Sequence, residues 1–101
     1  MRTLYKKGQF DISGAGVVTY VVEFTGGDII TEDTKHILRF RHEILNSSGC
    51  PMVLVYDDSN QMVIPDGVAL RDDMNTIDVD LTSFDTPTPI TGTWHVWVIG
   101  N

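Results

Sequence analysis

The side chains that could carry chemistry in this sequence are three histidines, one cysteine and a set of aspartates in the second half of the chain. His36 and His42 share a strand face if they lie on one strand, but about 20 Å would then separate them, too far to bind one ion. Cys50 stands before a proline, and nothing in the sequence places a histidine beside it to activate the thiol. These residues predict neither a histidine metal site nor a cysteine nucleophile.

Aspartates gather in predicted turns, where their carboxylates could supply the oxygen ligands that calcium prefers. The calcium candidates are Asp57, Asp58 and Asn60, which share one turn. Their spacing is not that of a calcium loop, and aspartate is also a common turn residue. Asp78 and Asp80 would share one outward strand face, which we interpret as a solvated or interface face rather than a catalytic carboxylate pair. We therefore predict no metal, no cofactor and no enzymatic activity.

Residues 93–99 form the most informative stretch, because neither face of a strand built from them would be polar. Side chains alternate along a strand, so one face would carry Trp94, Val96 and Val98, and the other His95, Trp97 and Ile99. Such a strand needs cover on both sides, which in a small protein means the middle of a sandwich or a contact with another chain. We expect one tryptophan in the core. The other would anchor a subunit interface, stack on a sugar or belong to the core as well.

Charge is unevenly distributed along the chain, whose net charge is −7. Residues 1–45 hold six acids and six bases, whereas residues 46–101 hold eight acids and a single base, Arg71. An acidic body disfavours direct binding to nucleic acid. The first three charged residues are all basic, so residues 1–8 form a basic arm that could steer copies head to tail or dock on a partner. The interface candidates are Arg2, Tyr5, Lys6, Lys7, Pro87, Pro89, Trp97 and Ile99.

Turn residues recur about every 8–12 residues, which is typical of an all-β domain. Strands are predicted at residues 10–13, 17–24, 28–31, 52–56, 61–64, 76–82 and 93–99. Residues 57–60 are predicted to be the turn of a hairpin. Residues 84–90 contain two prolines and are predicted to be an extended, semi-rigid connection to the last strand.

Residues 31–49 allow two interpretations. As a strand, the segment would turn His36, Leu38 and Phe40 inward. As a short helix within residues 31–46, it would place Arg41 near the middle of its apolar stripe, which is the costlier arrangement. We favour the strand and keep the helix as its rival.

A chain of 101 residues has room for one domain, residues 1–101. Seven or eight short antiparallel strands predict a β-sandwich, either immunoglobulin-like or jelly-roll, with a partly open barrel as the alternative. We find no signal-peptide pattern and no apolar run of transmembrane length. We therefore expect a protein of the cytoplasm, or of a virion if it is viral, with no membrane partner.

The ending Ile-Thr-Gly-Thr-Trp-His-Val-Trp-Val-Ile, residues 90–99, resembles the Gly-Thr-Trp closing strand of many β-sandwich modules, including the P-domains beside subtilisin-like proteases. The remainder lacks the P-domain pattern, so that function is not carried over. In its small size, acidity and all-β character, the chain resembles the accessory proteins that decorate tailed-phage capsids. This resemblance rests on character and size, and it implies a structural protein with protein partners.

The leading hypothesis is a non-enzymatic structural protein that self-associates and docks on a larger assembly, as a virion decoration or cement subunit does. The alternative is a carbohydrate-binding module, with or without the assistance of calcium, in which a surface tryptophan and aspartate loops recognise the sugar. A third hypothesis is an acidic inhibitor that mimics nucleic acid with the aspartates of residues 57–80.

Overall fold

A computed structural model of the chain describes residues 9–12, 18–41, 52–71 and 75–100. Nine strands form within these residues: β1 (Gln9–Ile12), β2 (Val18–Phe24), β3 (Ile30–Glu32), β4 (Lys35–Arg41), β5 (Met52–Tyr56), β6 (Met62–Val63), β7 (Gly67–Leu70), β8 (Thr76–Asp80) and β9 (Trp94–Gly100). A 3-10 turn at Gly26–Asp28 and a one-turn helix, α1 (Thr82–Asp85), are the helical elements of the same residues.

The strands form two antiparallel sheets, one of five strands in the order β1-β2-β9-β5-β6 and one of four in the order β3-β4-β8-β7. Consecutive strands pair as β1 with β2, β3 with β4, β5 with β6, and β7 with β8. Successive pairs alternate between the sheets. The last strand, β9, lies between β2 and β5 and so joins the two pairs of the five-stranded sheet.

This arrangement confirms the predicted all-β sandwich. The predicted count of seven or eight strands is too low, because β7 was not recognised. The glycine and the alanine of β7 have little preference for strands, and the strand is stabilised by its pairing with β8. In the constant immunoglobulin type, the last strand lies at the end of a sheet ordered C-F-G. Here β9 lies between β2 and β5, so the strand order departs from that type.

The strand interpretation of residues 31–41 is confirmed, and the helix interpretation is wrong for these residues. They form a hairpin rather than one long strand, because the chain reverses at Asp33, whose φ is +57°. Aspartate tolerates this left-handed conformation better than most residues. Residues 42–46, the rest of the predicted helix, lie outside the described residues.

The core lies between the two sheets and follows the period of two expected for strands. Its members are buried apolar side chains: Tyr20, Val22 and Phe24 of β2, Leu38 and Phe40 of β4, Val55 of β5, Ile77 and Val79 of β8, Trp94, Val96 and Val98 of β9, and Leu81 and Ile90 from the connections. Each large side chain buried in this way contributes about 1.5–3 kcal/mol relative to an exposed one.

The connection between β8 and β9 differs from its prediction at its beginning. Phe84 and Asp85 belong to α1 and not to an extended segment, because the Leu81 carbonyl accepts hydrogen bonds from the backbone N–H groups of both residues. Pro87 and Pro89 follow in irregular, exposed chain. No helix among the described residues is long and apolar enough to cross a membrane.

Candidate functional site

The outer face of the five-stranded sheet, which points away from the core, is mostly apolar. Strand register places three rows of side chains across β2, β9 and β5: Thr19, Ile99 and Met52; Val21, Trp97 and Leu54; and Glu23, His95 and Tyr56. Met62 of β6 pairs with Tyr56 and extends the third row. Met52 and Met62 are 60% and 59% exposed. We call the side chains of these three rows the apolar outer face.

A groove of about 390 Å³ opens on the apolar outer face, lined by Leu54, Tyr56, Asn60, His95 and Trp97. Its volume lies in the range of small-molecule sites, which combine apolar walls with a few polar groups. Asn60 reaches the groove from the β5–β6 turn, where it adopts a left-handed conformation with φ of +61°. His95 Nε2 lies 3.5 Å from a carboxylate oxygen of Glu23 in the same row.

The two tryptophans of β9 occupy different environments, as the alternation predicts. Trp94 is 7% exposed and packs against Phe24 and Phe84, with ring centroids 6.1 Å and 5.8 Å away. Its indole N–H donates to the Thr91 carbonyl at 3.1 Å, so the ring's one polar group is satisfied. Trp97 is half-buried at the centre of the apolar outer face.

The structure brings only part of the predicted interface together. Trp97 and Ile99 are neighbours on the apolar outer face, whereas Pro87 and Pro89 follow α1, which packs against β4 of the other sheet. The four arm candidates Arg2, Tyr5, Lys6 and Lys7 lie outside the described residues, as do His42 and Cys50.

The outer face of the four-stranded sheet is charged, in contrast to the apolar outer face. Arg39 of β4 is paired in register with Asp78 of β8 and donates to both of its carboxylate oxygens, at 2.8 and 3.0 Å. Arg39 also donates to Glu32, and Arg71 donates to Asp78. Opposite charges placed directly across two strands stabilise the sheet. We call this group the Arg39–Asp78 network.

The network shifts the pKa values of its two central groups. Burial alone would raise the pKa of Asp78, but hydrogen bonds from Arg39 and Arg71 outweigh it, so the pKa of Asp78 is lowered. The hydrogen bond with Asp78 raises the pKa of Arg39, and Glu32 adds to this effect while burial opposes it. Both groups are therefore held in their charged forms, which suits a stable charged surface better than proton transfer.

One of the calcium candidates, Asp57, stabilises the β5–β6 turn. One carboxylate oxygen of Asp57 accepts hydrogen bonds from the backbone N–H groups of Ser59 and Gln61, both at 2.9 Å. This is ordinary turn chemistry. No group of three or more histidine, cysteine, aspartate or glutamate side chains that could hold a metal ion is found in the described part of the chain.

His36 and Asp85 form a second polar centre, at the edge of the core. His36 Nδ1 lies 2.6 Å from a carboxylate oxygen of Asp85, and its Nε2 lies 3.4 Å from the Thr86 hydroxyl oxygen. An acid, an imidazole and a hydroxyl in this order also occur in catalytic triads. The other oxygen of Asp85 accepts a hydrogen bond from the Ile90 backbone N–H, and the Thr82 hydroxyl accepts one from the backbone N–H of His36. The contacts with His36 link residues 82–90 to β4. We interpret this centre as a clasp that fastens residues 82–90 to β4.

Sequence reasoning missed most of the groove. It identified Trp97 but not Leu54, Tyr56 or His95 as its neighbours. The alternation of β5 shows that Leu54 and Tyr56 share a face, yet nothing local indicates that β5 pairs with β9. That pairing depends on contacts between residues about 40 positions apart.

Comparisons with protein-family models, curated proteins and solved structures give no match to this chain.

Proposed function

We propose that this protein is a non-enzymatic structural protein that self-associates and docks on a larger assembly through its apolar outer face. The observation that carries the proposal is the row of Val21, Trp97 and Leu54 at the centre of that face, flanked by exposed methionines. Contiguous apolar patches on a protein surface commonly mark sites of interaction. Aromatic residues and methionine are enriched in interfaces, and tryptophan and tyrosine dominate their binding energy.

The contrast between the two outer faces supports this choice of surface. The charged outer face carries exposed ionic groups, such as Glu32 and Arg71 of the Arg39–Asp78 network, and these would lose hydration on binding. The described side chains of the apolar outer face include one carboxylate, Glu23, at its margin. Covering this face therefore removes apolar surface from water with little desolvation of charge. As a more specific form of the proposal, the assembly is a viral capsid and the protein a decoration subunit, which rests on the resemblance in size and character alone.

The test introduces a lysine on each of the two outer faces, in separate variants. Leu54→Lys places a charge at the centre of the apolar outer face, and Ala69→Lys places the same charge on the other face, beside Asp78. Size-exclusion chromatography with light scattering should show concentration-dependent association of the wild type and the Ala69→Lys control. Leu54→Lys should remain monomeric while keeping its circular dichroism spectrum. A wild type that is monomeric at millimolar concentration and binds no capsid would contradict the proposal.

A second candidate function, carbohydrate binding, is favoured by the composition of the groove. Tyr56 and Trp97 offer aromatic surfaces on which a sugar ring could stack, and Asn60 and His95 offer hydrogen-bonding groups at the rim. A glycan array would test this function, with Trp97→Ala as the control variant. Because Asp57 is engaged within its own turn, any sugar binding should be unchanged by a calcium chelator.

The third hypothesis, an acidic mimic of nucleic acid, finds less support in the described residues. Their aspartates are dispersed and serve the fold: Asp57 holds a turn, Asp78 pairs with arginines, and Asp85 belongs to the clasp. A mimic needs a continuous row of carboxylates presented to a basic cleft.

A further inference from the structure

The groove on the apolar outer face has the features of a site for a cationic side chain. Tyr56 and Trp97 line it, and aromatic ring faces attract lysine and arginine within about 6 Å. A long basic side chain also has an apolar stem, which the Leu54 wall would cover. The groove is thus suited to a residue that is apolar along its length and positive at its end.

Acidic residues lie next to two of the residues that line the groove, His95 and Asn60. Glu23, whose side chain is 71% exposed, stands next to His95 in the third row. The turn that provides Asn60 also carries Asp57 and Asp58. Arg71, the one base of residues 46–101, is engaged with Asp78 on the opposite sheet. A cation that fills this groove must therefore come from residues 1–45 or from another molecule.

Two eight-residue stretches of the chain hold three bases and no acid. One, residues 35–42, contains β4 of the opposite sheet, and the other is Met-Arg-Thr-Leu-Tyr-Lys-Lys-Gly, residues 1–8. It leads into β1 at the edge of the five-stranded sheet, where Gln9 pairs with Val21 and Val21 with Trp97. The start of β1 is thus two strand spacings, roughly 10 Å, from the centre of the apolar outer face. Eight residues span up to roughly 26 Å when extended, so this segment can reach well beyond its own sheet.

We infer that the groove binds the basic segment of residues 1–8 from a second copy of the chain, in a head-to-tail contact. This inference rests on the proposed self-association and adds its specific partner. Opposite charges on the segment and around the groove make one end of each copy complementary to the face of the next. The two surfaces differ, so the contact is heterologous and generates rings or filaments rather than two-fold dimers.

The first experiment neutralises the segment in the full chain. The triple variant Arg2→Gln, Lys6→Gln, Lys7→Gln keeps every residue of the described fold. We expect its association, measured by analytical ultracentrifugation, to be at least tenfold weaker than that of the wild type. If the triple variant associates as the wild type does and Leu54→Lys still abolishes association, the inference fails while the proposed function stands.

The second experiment adds the segment as a peptide. By isothermal titration calorimetry, a synthetic peptide of residues 1–8 should bind the triple variant, and a peptide with glutamine in place of its three bases should bind at least tenfold more weakly. Trp97→Leu, which keeps an apolar side chain but removes the ring, should weaken binding several-fold. Equal binding of both peptides would overturn the inference. So would a wild type that stays monomeric at every concentration while the triple variant binds the peptide, because the segment would then occupy its own copy's groove.

Discussion

Asp78 is the residue that holds the charged outer face together. Its carboxylate accepts hydrogen bonds from arginines on both sides, and the side chains of Asp78 and Arg39 are only 13% and 12% exposed. Removing one member of a largely buried ion pair leaves the other without compensation. Asp78 should therefore matter more to stability than an ordinary surface carboxylate.

We expect Asp78→Asn to lower the free energy of unfolding by about 2 kcal/mol at neutral pH, as the loss of charged hydrogen bonds implies. The lowered pKa of Asp78 also sets a pH dependence. The stabilisation is complete above the pKa of an unfolded aspartate, about 3.9, and is lost as the pH falls through the lower pKa of the folded state. Urea unfolding at several pH values should show the difference between wild type and variant shrinking below about pH 4.

Glu32→Gln is the matched control for this prediction. Glu32 also accepts from Arg39, but its side chain is 50% exposed, and exposed ion pairs contribute at most about 1 kcal/mol. A loss of stability in Glu32→Gln as large as in Asp78→Asn would contradict the importance given to the central pair.

The two tryptophans show that residue type alone does not determine which side chain is buried. Alternation predicts that Trp94 and Trp97 face opposite ways, but both faces of β9 are apolar, so the pattern does not say which ring is inside. Pairing with strands that are distant in sequence determines which ring is buried. Val96, on the side of Trp94, is in register with Val22 and Val55, both of which are buried between the sheets.

Among the elements, the connection formed by residues 82–90 depends most on specific polar contacts. Carboxylates hold it at three points: Asp80 accepts from Thr82, Asp66 from the Ser83 backbone, and Asp85 from the Ile90 backbone and from His36. Ile90 is buried in the core four residues before β9 begins at Trp94. The clasp of His36 and Asp85 should therefore stabilise the approach to the strand that carries the groove.

We expect Asp85→Asn to lower the free energy of unfolding by about 1–2 kcal/mol, because an amide cannot accept two charged hydrogen bonds in the same way. Amide hydrogen exchange at Ile90 should accelerate more than exchange in β2, since the lost contact is local. Asp58→Asn, the same change at an exposed turn residue, should stay within about 0.5 kcal/mol of the wild type. Unchanged exchange at Ile90 in Asp85→Asn would argue against the clasp.

Elements with strong local signals could be predicted from the sequence, and those that depend on neighbours could not. The alternating apolar residues of β2, β8 and β9 predict these strands within one or two residues. The chain reverses at Asp33, within a segment predicted to be one long strand. The sequence does not predict this reversal, because an aspartate is only a weak local signal for a left-handed turn. Helix α1 was missed because it is a single turn held by Asp80 and by the Leu81 carbonyl, not by any periodic apolar stripe.

At the scale of the whole molecule, the sandwich has two unlike outer surfaces. One sheet presents the Arg39–Asp78 network and the other the apolar outer face with its groove. The sequence predicted the apolar character of β9 and the uneven charge, but not that β2 and β5 would place Val21 and Leu54 beside Trp97. A site assembled from three strands requires their order, and no local pattern specifies that order.

The salt dependence of association distinguishes the two ways in which copies could meet. Copies with a net charge of −7 repel one another, and salt screens this repulsion, since the Debye length is about 10 Å at 0.1 M and 3 Å at 1 M. If apolar faces alone met, sodium chloride would strengthen association. If a basic segment enters the groove, beside which Glu23 lies, the same salt screens an attraction between nearby opposite charges, and association weakens.

We therefore expect sedimentation equilibrium to show wild-type association that weakens several-fold between 0.05 and 0.5 M sodium chloride, as screening of a local attraction implies. The triple variant Arg2→Gln, Lys6→Gln, Lys7→Gln loses three positive charges, which takes the net charge from −7 to −10. Its residual association depends on apolar contact against a larger repulsion, so its salt dependence should have the opposite sign. If the wild type and the triple variant both associate more strongly as salt rises, the contact between copies is made by the apolar faces, and the basic segment has no part in it.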